Sequence, residues 1–112
     1  MSNGFQEREE GFEAKLKHDQ DVQFRVQARR DKLIGQWAAE QMGMEGDAID
    51  DYAMTLVKHA VSEPGDDDVI SKLVTDLKGH GVDMDADAVS RKLAEFETTA
   101  ASQVHDEGYD RD

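Results

Sequence analysis

Apolar residues recur at helical spacing in four segments of the chain, with polar residues between them. This spacing places the apolar residues along one face of an amphipathic helix. No segment alternates apolar and polar residues with a period of two over the length of a strand. The sequence therefore predicts an all-α fold, a small four-helix bundle. The four stripes are Leu33, Ile34, Trp37, Ala38 and Met42; Ile49, Tyr52, Ala53, Leu56, Val57 and Ala60; Val69, Ile70, Leu73, Val74 and Leu77; and Val89, Leu93, Phe96 and Ala100.

Residues that end or begin helices stand between these stripes. Gly43 can take the positive φ at which helices often stop, and Pro64 cannot continue a helix because its nitrogen carries no hydrogen. Asp47 and Asp85 stand at expected N-cap positions, where a carboxylate can accept a hydrogen bond from the first helical turn. We expect a long first helix and three shorter helices that pack against its apolar stripe.

The N-terminal segment, residues 1–21, differs from the rest of the chain. After Met1 its large apolar residues are Phe5, Phe12 and Leu16, which form one narrow stripe. That stripe is too small to hold a helix against its ordering entropy, and Gly11 costs about a further 1 kcal/mol relative to Ala. We expect an arm that is weakly ordered alone and helical when a partner covers the stripe. The alternative is a polar leader to the first helix.

Length and composition set the outer limits of the prediction. At 112 residues the chain has room for one small domain, and without Cys it can form neither a disulfide nor a thiolate metal site. We find no secretory signal and no apolar run near the roughly 20 residues of a membrane span. We expect a cytoplasmic protein without membrane insertion. Its expected parts are an arm over 1–21, a helical bundle over 22–101 and a disordered acidic tail over 102–112.

Charge is distributed unevenly along the chain. The net charge is −13, which argues against nucleic acid as a partner because phosphate backbones require a basic surface. Residues 1–34 carry seven basic and seven acidic side chains, whereas residues 35–112 carry six basic and nineteen acidic ones. This division suggests an interaction arm on an acidic, self-solubilising body.

Motifs for catalysis, metals or cofactors fail on inspection of the sequence. Asp83, Asp85 and Asp87 resemble the start of a calcium loop, but Ala88 stands where Gly is needed and Ala94 where Glu is needed. The four His residues form no pair at i, i+4, and no Walker A loop, dinucleotide fingerprint or nucleophile elbow occurs. We therefore expect a protein that is not an enzyme and has no catalytic residue, no metal site and no cofactor.

A basic cluster is the one remaining constellation. Guanidinium groups at i, i+4 spacing could clamp a phosphate or carboxylate, since their fork geometry suits bidentate acceptors. A nucleotide-binding or anion-binding module is therefore an alternative function. The other interpretation is a solvent-exposed helix face whose positive charge is partly neutralised by Asp21 and Asp31. The cluster consists of Arg25, Arg29, Arg30 and Lys32.

Specific residues along most of the chain resemble one known family. They run from about Phe5 to Ala100 and are densest in the first half. The pattern resembles the zeta subunit family of alphaproteobacterial F-type ATP synthases. The residues that carry the resemblance are Phe5, Arg8, Glu9, Phe12, Glu13, Ala14, Lys15, His18, Asp19 and Phe24; Ala28, Arg29, Arg30, Lys32, Leu33, Gly35, Trp37, Ala38, Ala39, Glu40 and Gly43; and Tyr52, Ala53, Pro64, Gly65, Asp66, Lys72, Asp76 and Leu77.

The resemblance implies a regulatory subunit with a mobile N-terminal inhibitory segment. In this family the segment enters a catalytic interface of the ATP synthase head, formed by its alpha, beta and gamma subunits, and blocks rotation in the hydrolysis direction. The implied location is the cytoplasmic side of the inner membrane, and we expect a monomer when free. A non-inhibitory accessory subunit is a further alternative. The predicted partner-binding residues are Phe5, Arg8, Glu9, Phe12, Glu13 and Lys15, together with Leu16 from the apolar stripe.

Overall fold

The computed structural model describes the backbone of residues 3–108 and the side chains of residues 15–108. Within that range the chain forms four α-helices and no strand, which confirms the predicted all-α bundle. The helices are α1 (Asn3–Gln41), α2 (Asp47–Ser62), α3 (Asp66–Gly79) and α4 (Ala86–Asp106).

The core lies where the C-terminal half of α1 meets the three shorter helices. The predicted stripe of α1 is buried at Ile34, Ala38 and Met42, while Trp37 packs at its margin. The ring of Trp37 lies 6.4 Å from that of Phe96, measured between centroids, and ties α1 to α4. The other helices contribute aliphatic side chains because each presents a single apolar face. These side chains are Leu56, Val69, Leu73, Leu77, Val89 and Leu93.

α1 and α2 approach each other closely at Gly35. A Cβ placed on Gly35 would stand 2.8 Å from the Cα of Ala53, closer than a methyl group and a backbone carbon can pack. The absence of a side chain at Gly35 and the small side chain of Ala53 therefore permit this crossing. It fixes α2 against the middle of the bundle portion of α1.

The helix ends agree with the sequence except at the start of α2 and at the end of α4. α1 ends before Gly43, which has a φ of +84°, and Asp85 caps α4 by accepting a hydrogen bond from the amide of Ala88 at 2.8 Å. The N-cap position of α2 is taken by Gly46, and Asp47 is the first helical residue with no side-chain capping bond. The prediction for Asp47 was therefore wrong by one position. Its carboxylate still lies in the first turn, where the helix dipole favours negative charge.

The end of α4 also differs from the prediction. The tail expected to be disordered from residue 102 is helical as far as Asp106. Val104 is buried against the bundle, and Arg29 of α1 holds Gln103 and Glu107. These contacts stabilise the fold of residues 102–107. The polar sequence of this segment does not predict them. The last part of the predicted tail, residues 109–112, lies outside the described range.

α1 is much longer than the bundle that it supports. Its 39 residues span about 58 Å at 1.5 Å per residue, and the described part of the molecule measures 67 × 25 × 21 Å. Among the described side chains of α1, the first buried one is that of Arg30, and residues 15–21 are exposed apart from the half-buried His18. The N-terminal part of α1 therefore projects from the bundle as a helix with few bundle contacts.

Candidate functional site

The projecting part of α1 carries the residues predicted to bind a partner. Among those whose side chains the structure describes, Lys15 and Leu16 are both exposed. The side chains of the remaining five, Phe5, Arg8, Glu9, Phe12 and Glu13, lie outside the described range. The backbone places all seven residues on one continuous helix that leads into the bundle.

The basic cluster divides into two environments. Arg30 and Asp31 are each only 4% exposed and pair with each other, with Arg30 Nε 3.0 Å from Asp31 Oδ1. Arg30 Nη2 also lies 3.0 Å from Asp66 Oδ1, and Arg30 Nη1 lies 3.3 Å from Glu97 Oε1. One guanidinium therefore joins carboxylates from α1, α3 and α4 at the side of the core. Arg30 holds the bundle together and is poorly placed to receive a ligand.

The pKa values around Arg30 follow from burial and from the surplus of carboxylates. Burial alone would lower the pKa of Arg30, but the charges and hydrogen bonds of Asp31 and Asp66 outweigh it and raise that pKa. Burial raises the pKa of Asp31; Arg30 opposes this shift, while Asp66 and Glu97 add to it. The guanidinium therefore stays charged at any ordinary pH, and Asp31 holds its proton more readily than an exposed Asp.

Arg29, about 100° around α1 from Arg30, binds the end of α4. Its two terminal nitrogens, Nη1 and Nη2, each donate to a Glu107 oxygen at 2.7 Å, and Nη1 also donates to Gln103 Oε1 at 2.9 Å. The hydrogen bonds from Arg29 are the main cause of a lowered pKa at Glu107. This bidentate contact fastens the C-terminal end of α4 beside the point where α1 leaves the bundle.

Three members of the basic cluster line one groove between α1, α2 and α4. Arg25, Arg29 and Lys32 surround a cavity of about 790 Å³, whereas Arg30 lines a neighbouring cavity of about 460 Å³. Asp21 also lines the larger cavity, and Asp31 lies with Arg30 in the smaller one. The structure thus brings together Arg25, Arg29 and Lys32 as predicted and separates Arg30 from them.

No sequence motif identifies Asp66, Glu97 and Glu107 as partners of the cluster. They lie 36, 67 and 78 positions from their arginines, so no local spacing relates them. The available signal was the surplus of acidic side chains after residue 34, which favours contacts between some of them and the basic residues of α1. Among residues 15–108, no group of three His, Cys, Asp or Glu side chains could hold a metal ion. None of the described helices is long and apolar enough to cross a membrane.

A comparison with protein families decides what kind of protein this is. Residues 1–103 match the model of the family described as ATPase inhibitor subunit zeta. The chain belongs to this family. The match confirms the resemblance noted from the motif residues, and it includes the projecting part of α1 as well as most of the bundle. A search among curated proteins gives no match.

Several residues that carry the zeta-family resemblance serve the packing of the bundle. Tyr52 donates a hydrogen bond from its hydroxyl to Asp76 Oδ2 at 2.8 Å, and Lys72 pairs with the same oxygen at 2.9 Å. This contact joins α2 to α3, and burial together with Asp76 raises the pKa of Tyr52. Gly35 permits the helix crossing described above. These zeta-family residues therefore define the scaffold from which the N-terminal part of α1 projects.

Proposed function

We propose that this protein is a non-enzymatic regulator that binds the catalytic head of F-type ATP synthase and inhibits ATP hydrolysis. Its N-terminal segment would insert at a catalytic interface of the head. The single observation that carries the proposal is the match of residues 1–103 to the ATPase inhibitor subunit zeta family. An ATP synthase partner would place the protein beside the inner membrane on its cytoplasmic side, without a membrane segment of its own.

The shape of α1 supports a role for its N-terminal part in binding. A helix that leaves the bundle with Lys15 and Leu16 exposed can enter a cleft that is too narrow for the bundle itself. Residues 3–21 span about 28 Å at 1.5 Å per residue, enough to reach beneath the surface of a large partner. The bundle would then remain outside, because its 25 × 21 Å cross-section exceeds that of one helix, about 10–12 Å.

The energetics of insertion require both apolar and polar contacts. Ordering the arm costs roughly 1–2 kcal/mol per residue, whereas burying a large apolar side chain contributes about 1.5–3 kcal/mol. The stripe of Phe5, Phe12 and Leu16 therefore does not offset the ordering of the whole arm by itself. We infer that Arg8, Glu9, Glu13 and Lys15 form ion pairs or hydrogen bonds with the head, and that binding is coupled to folding of the arm.

Hydrolysis of ATP by the cognate head is the direct test. We would compare the full-length protein with a variant that lacks residues 1–18. The full-length protein is expected to inhibit and the shortened one is not, while both keep the same melting temperature. Equal inhibition by both proteins would show that the arm is not required for inhibition. Binding without inhibition by the full-length protein would indicate an accessory subunit.

A second candidate function rests on the grouping of Arg25, Arg29 and Lys32 around one cavity. Three cationic side chains near one groove could bind the phosphates of a nucleotide or another anion. The neighbouring carboxylates weaken this candidate, because Glu107 already occupies Arg29 in bidentate fashion. Titration of ATP and ADP against isotopically labelled protein would test it. Saturable chemical-shift changes confined to this groove would support nucleotide binding, and none up to millimolar concentration would exclude it.

A further inference from the structure

A row of partly covered side chains continues along α1 beyond the apolar core. Among residues 15–26, the side chains of His18, Val22 and Val26 are half-buried, and all the others are exposed. Their spacing of four residues places them in one row along the helix, and Arg29 follows on the same side. One side of α1 is therefore partly covered over two turns that lie outside the core.

The end of α4 is attached to this side of α1 at Arg29. The guanidinium donates to both oxygens of Glu107 at 2.7 Å and to Gln103 Oε1 at 2.9 Å. Gln103 and Glu107 lie one turn apart on α4, and between them the side chain of Val104 is only 1% exposed. We call these four residues the clasp. It joins α1 to α4 one position before Arg30, the first buried side chain among the described ones of α1.

The charges around the clasp keep it closed at neutral pH. The hydrogen bonds from Arg29 are the main cause of the lowered pKa of Glu107, and the charges of Arg29 and Arg25 add to this shift. Arg25 lies one turn before Arg29 on α1, so two cations on successive turns attract the same carboxylate. Glu107 therefore stays ionised and bound at neutral pH.

The part of α1 that leads to the clasp has little apolar support of its own. We call residues 22–29 the root of the arm. Its large apolar side chains are those of Val22, Phe24 and Val26; the first and last are half-buried, and that of Phe24 is 61% exposed. Helical segments with few buried apolar contacts open locally while the core stays folded. A fixed point at the C-terminal end of the root therefore opposes that opening.

An ordered root lowers the cost of folding the arm. Starting a new helix fixes several residues for one hydrogen bond, with an equilibrium factor of about 10⁻³, whereas extending an existing helix gains one bond per residue. An arm attached to a helical root can fold onto a partner by extension alone. A root that opens would have to be ordered again during binding, and that cost would weaken the affinity.

We propose that Gln103 and Glu107, acting through Arg29, are positioning residues for the arm. The clasp keeps the root helical, so that residues 1–21 fold onto the ATP synthase head by extending α1. The effect on binding rests on the function proposed above, whereas the effect on the root is a property of the free protein. Because an ion pair at the surface contributes little to global stability, loss of the clasp should change the root more than the core.

The experiment uses the full-length protein and three measurements. NMR gives the amide hydrogen exchange and the ¹³Cα secondary shifts of the root in the free protein. Thermal unfolding gives the melting temperature, and ATP hydrolysis by the purified head gives the half-inhibitory concentration. The clasp variant is Gln103→Ala combined with Glu107→Ala, which leaves Val104 in place. The matched control is Glu95→Ala, because Glu95 is an exposed carboxylate of α4 that pairs with Lys92 of the same helix at 3.1 Å.

We expect the clasp variant to exchange the amides of the root about fivefold faster, with smaller helical ¹³Cα shifts. Exchange at Leu73 in the core and the melting temperature should stay nearly unchanged. The half-inhibitory concentration should rise severalfold, with full inhibition still reached at saturation. Glu95→Ala should alter none of these quantities.

Exchanging the two charges of the clasp provides a test by rescue. Arg29→Glu alone brings two carboxylates together, so it should speed exchange of the root at least as much as the clasp variant. Arg29→Glu combined with Glu107→Arg restores an opposite pair and should recover part of the protection and part of the inhibition. No recovery in either measurement would overturn the assignment of the pair.

The other outcomes separate this inference from the proposed function. Unchanged exchange of the root in the clasp variant, with normal inhibition, would overturn the inference and leave the proposed function standing. Faster exchange with an unchanged half-inhibitory concentration would overturn the positioning role. Faster exchange throughout the core with a lowered melting temperature would show a general structural role instead. If the unaltered protein does not inhibit and only the root exchanges faster, the proposed function fails and the effect of the clasp on the root is supported.

Discussion

At the scale of single residues, the bundle depends on a few contacts that leave little room for substitution. Gly35 lies against the backbone of Ala53, and Arg30 gathers carboxylates from three helices. Both residues lie in the second half of α1, and both belong to the pattern from which the family was identified. Two substitutions test these contacts, and a pH titration tests the carboxyl groups that pair with Arg29 and Arg30.

Gly35→Ala should destabilise the protein although Ala favours helix by about 1 kcal/mol over Gly. The added Cβ would stand 2.8 Å from the Cα of Ala53, so α1 and α2 must move apart, which typically costs about 1–3 kcal/mol. Thermal unfolding measured by circular dichroism tests this expectation. Gly79→Ala is the matched control, because a Cβ there meets no atom within 4 Å and the φ is not positive. Equal melting temperatures for both variants would contradict the close crossing.

Arg30→Met should be among the most damaging single substitutions in the bundle. It leaves Asp31, 4% exposed, without its guanidinium partner, and breaking a buried pair in this way costs about 3–5 kcal/mol. Asp66 and Glu97 should contribute little to the loss, since more than half of each side chain is exposed. Urea denaturation at neutral pH measures the change. Arg30→Met combined with Asp31→Leu should recover much of the stability, and failure to recover would show that Asp31 is not the cause.

The pKa of Asp31 should lie above that of an ordinary carboxyl group, and the pKa of Glu107 should lie below it. Burial raises the pKa of Asp31 in the folded protein, so its contribution to stability is fully present below the unfolded pKa and is lost as pH rises through the folded pKa. Hydrogen bonds from Arg29 lower the pKa of Glu107, so its contribution is present above the unfolded pKa and is lost as pH falls through the folded one. Carboxyl ¹³C NMR would resolve both midpoints, and an Asp31 midpoint below that of an exposed Asp would refute the first assignment.

At the scale of helices, periodicity predicted the elements well and their ends less well. The stripes of α2, α3 and α4 repeat at helical spacing over several turns, and a helix of that kind buries one face wherever it packs. The C-terminal end of α4 was not predicted from the sequence because Val104 is its only large apolar residue after Ala101. What holds it is a contact with Arg29, 78 positions away from Glu107 along the chain. The candidate site was obscured in the same way, since the sequence places Arg30 beside Arg29 but does not show that they face different carboxylates.

Shortening the chain distinguishes the helical end of α4 from the residues that follow it. Removing residues 102–112 should destabilise the protein by on the order of 2 kcal/mol or more, because the buried side chain of Val104 and the partners of Arg29 are lost. Removing only residues 109–112, which the sequence predicts to be disordered, should leave the melting temperature unchanged. Differential scanning calorimetry of the two shortened proteins makes the comparison. If both melt like the full chain, residues 102–107 contribute nothing to the bundle.

At the scale of the whole molecule, a near-neutral N-terminal third precedes an acidic remainder. Residues 35–112 carry all of the net charge of −13. Within the described structure, Asp66, Glu97 and Glu107 meet the arginines of α1. Most acidic side chains of residues 35–108 are exposed, where they favour solubility. Under the proposed function, substitutions in the projecting arm should affect inhibition, and substitutions in the core of the bundle should affect stability.

Phe12→Ala should weaken inhibition of ATP hydrolysis without changing thermal stability. Truncating one aromatic side chain of the arm removes apolar contact with the partner, a loss of about 1.5–3 kcal/mol if that side chain is fully buried on binding. The half-inhibitory concentration for the ATP synthase head should rise about tenfold or more. Leu73→Ala serves as the converse control, because Leu73 is fully buried in the core and its truncation should lower the melting temperature. A lowered melting temperature for Phe12→Ala would assign Phe12 to the fold.

The single helix that joins the arm to the bundle also fixes their angular relation. Along α1, each residue turns the helix by about 100° and advances it by 1.5 Å. One residue inserted between the arm and Arg25 would therefore rotate the face of Phe5, Phe12 and Leu16 by more than a quarter turn relative to the bundle. Seven inserted residues would nearly restore its direction but move it by about 10 Å. As long as α1 remains unbroken, its phase as well as its length determines whether the arm and the bundle can bind the same partner together.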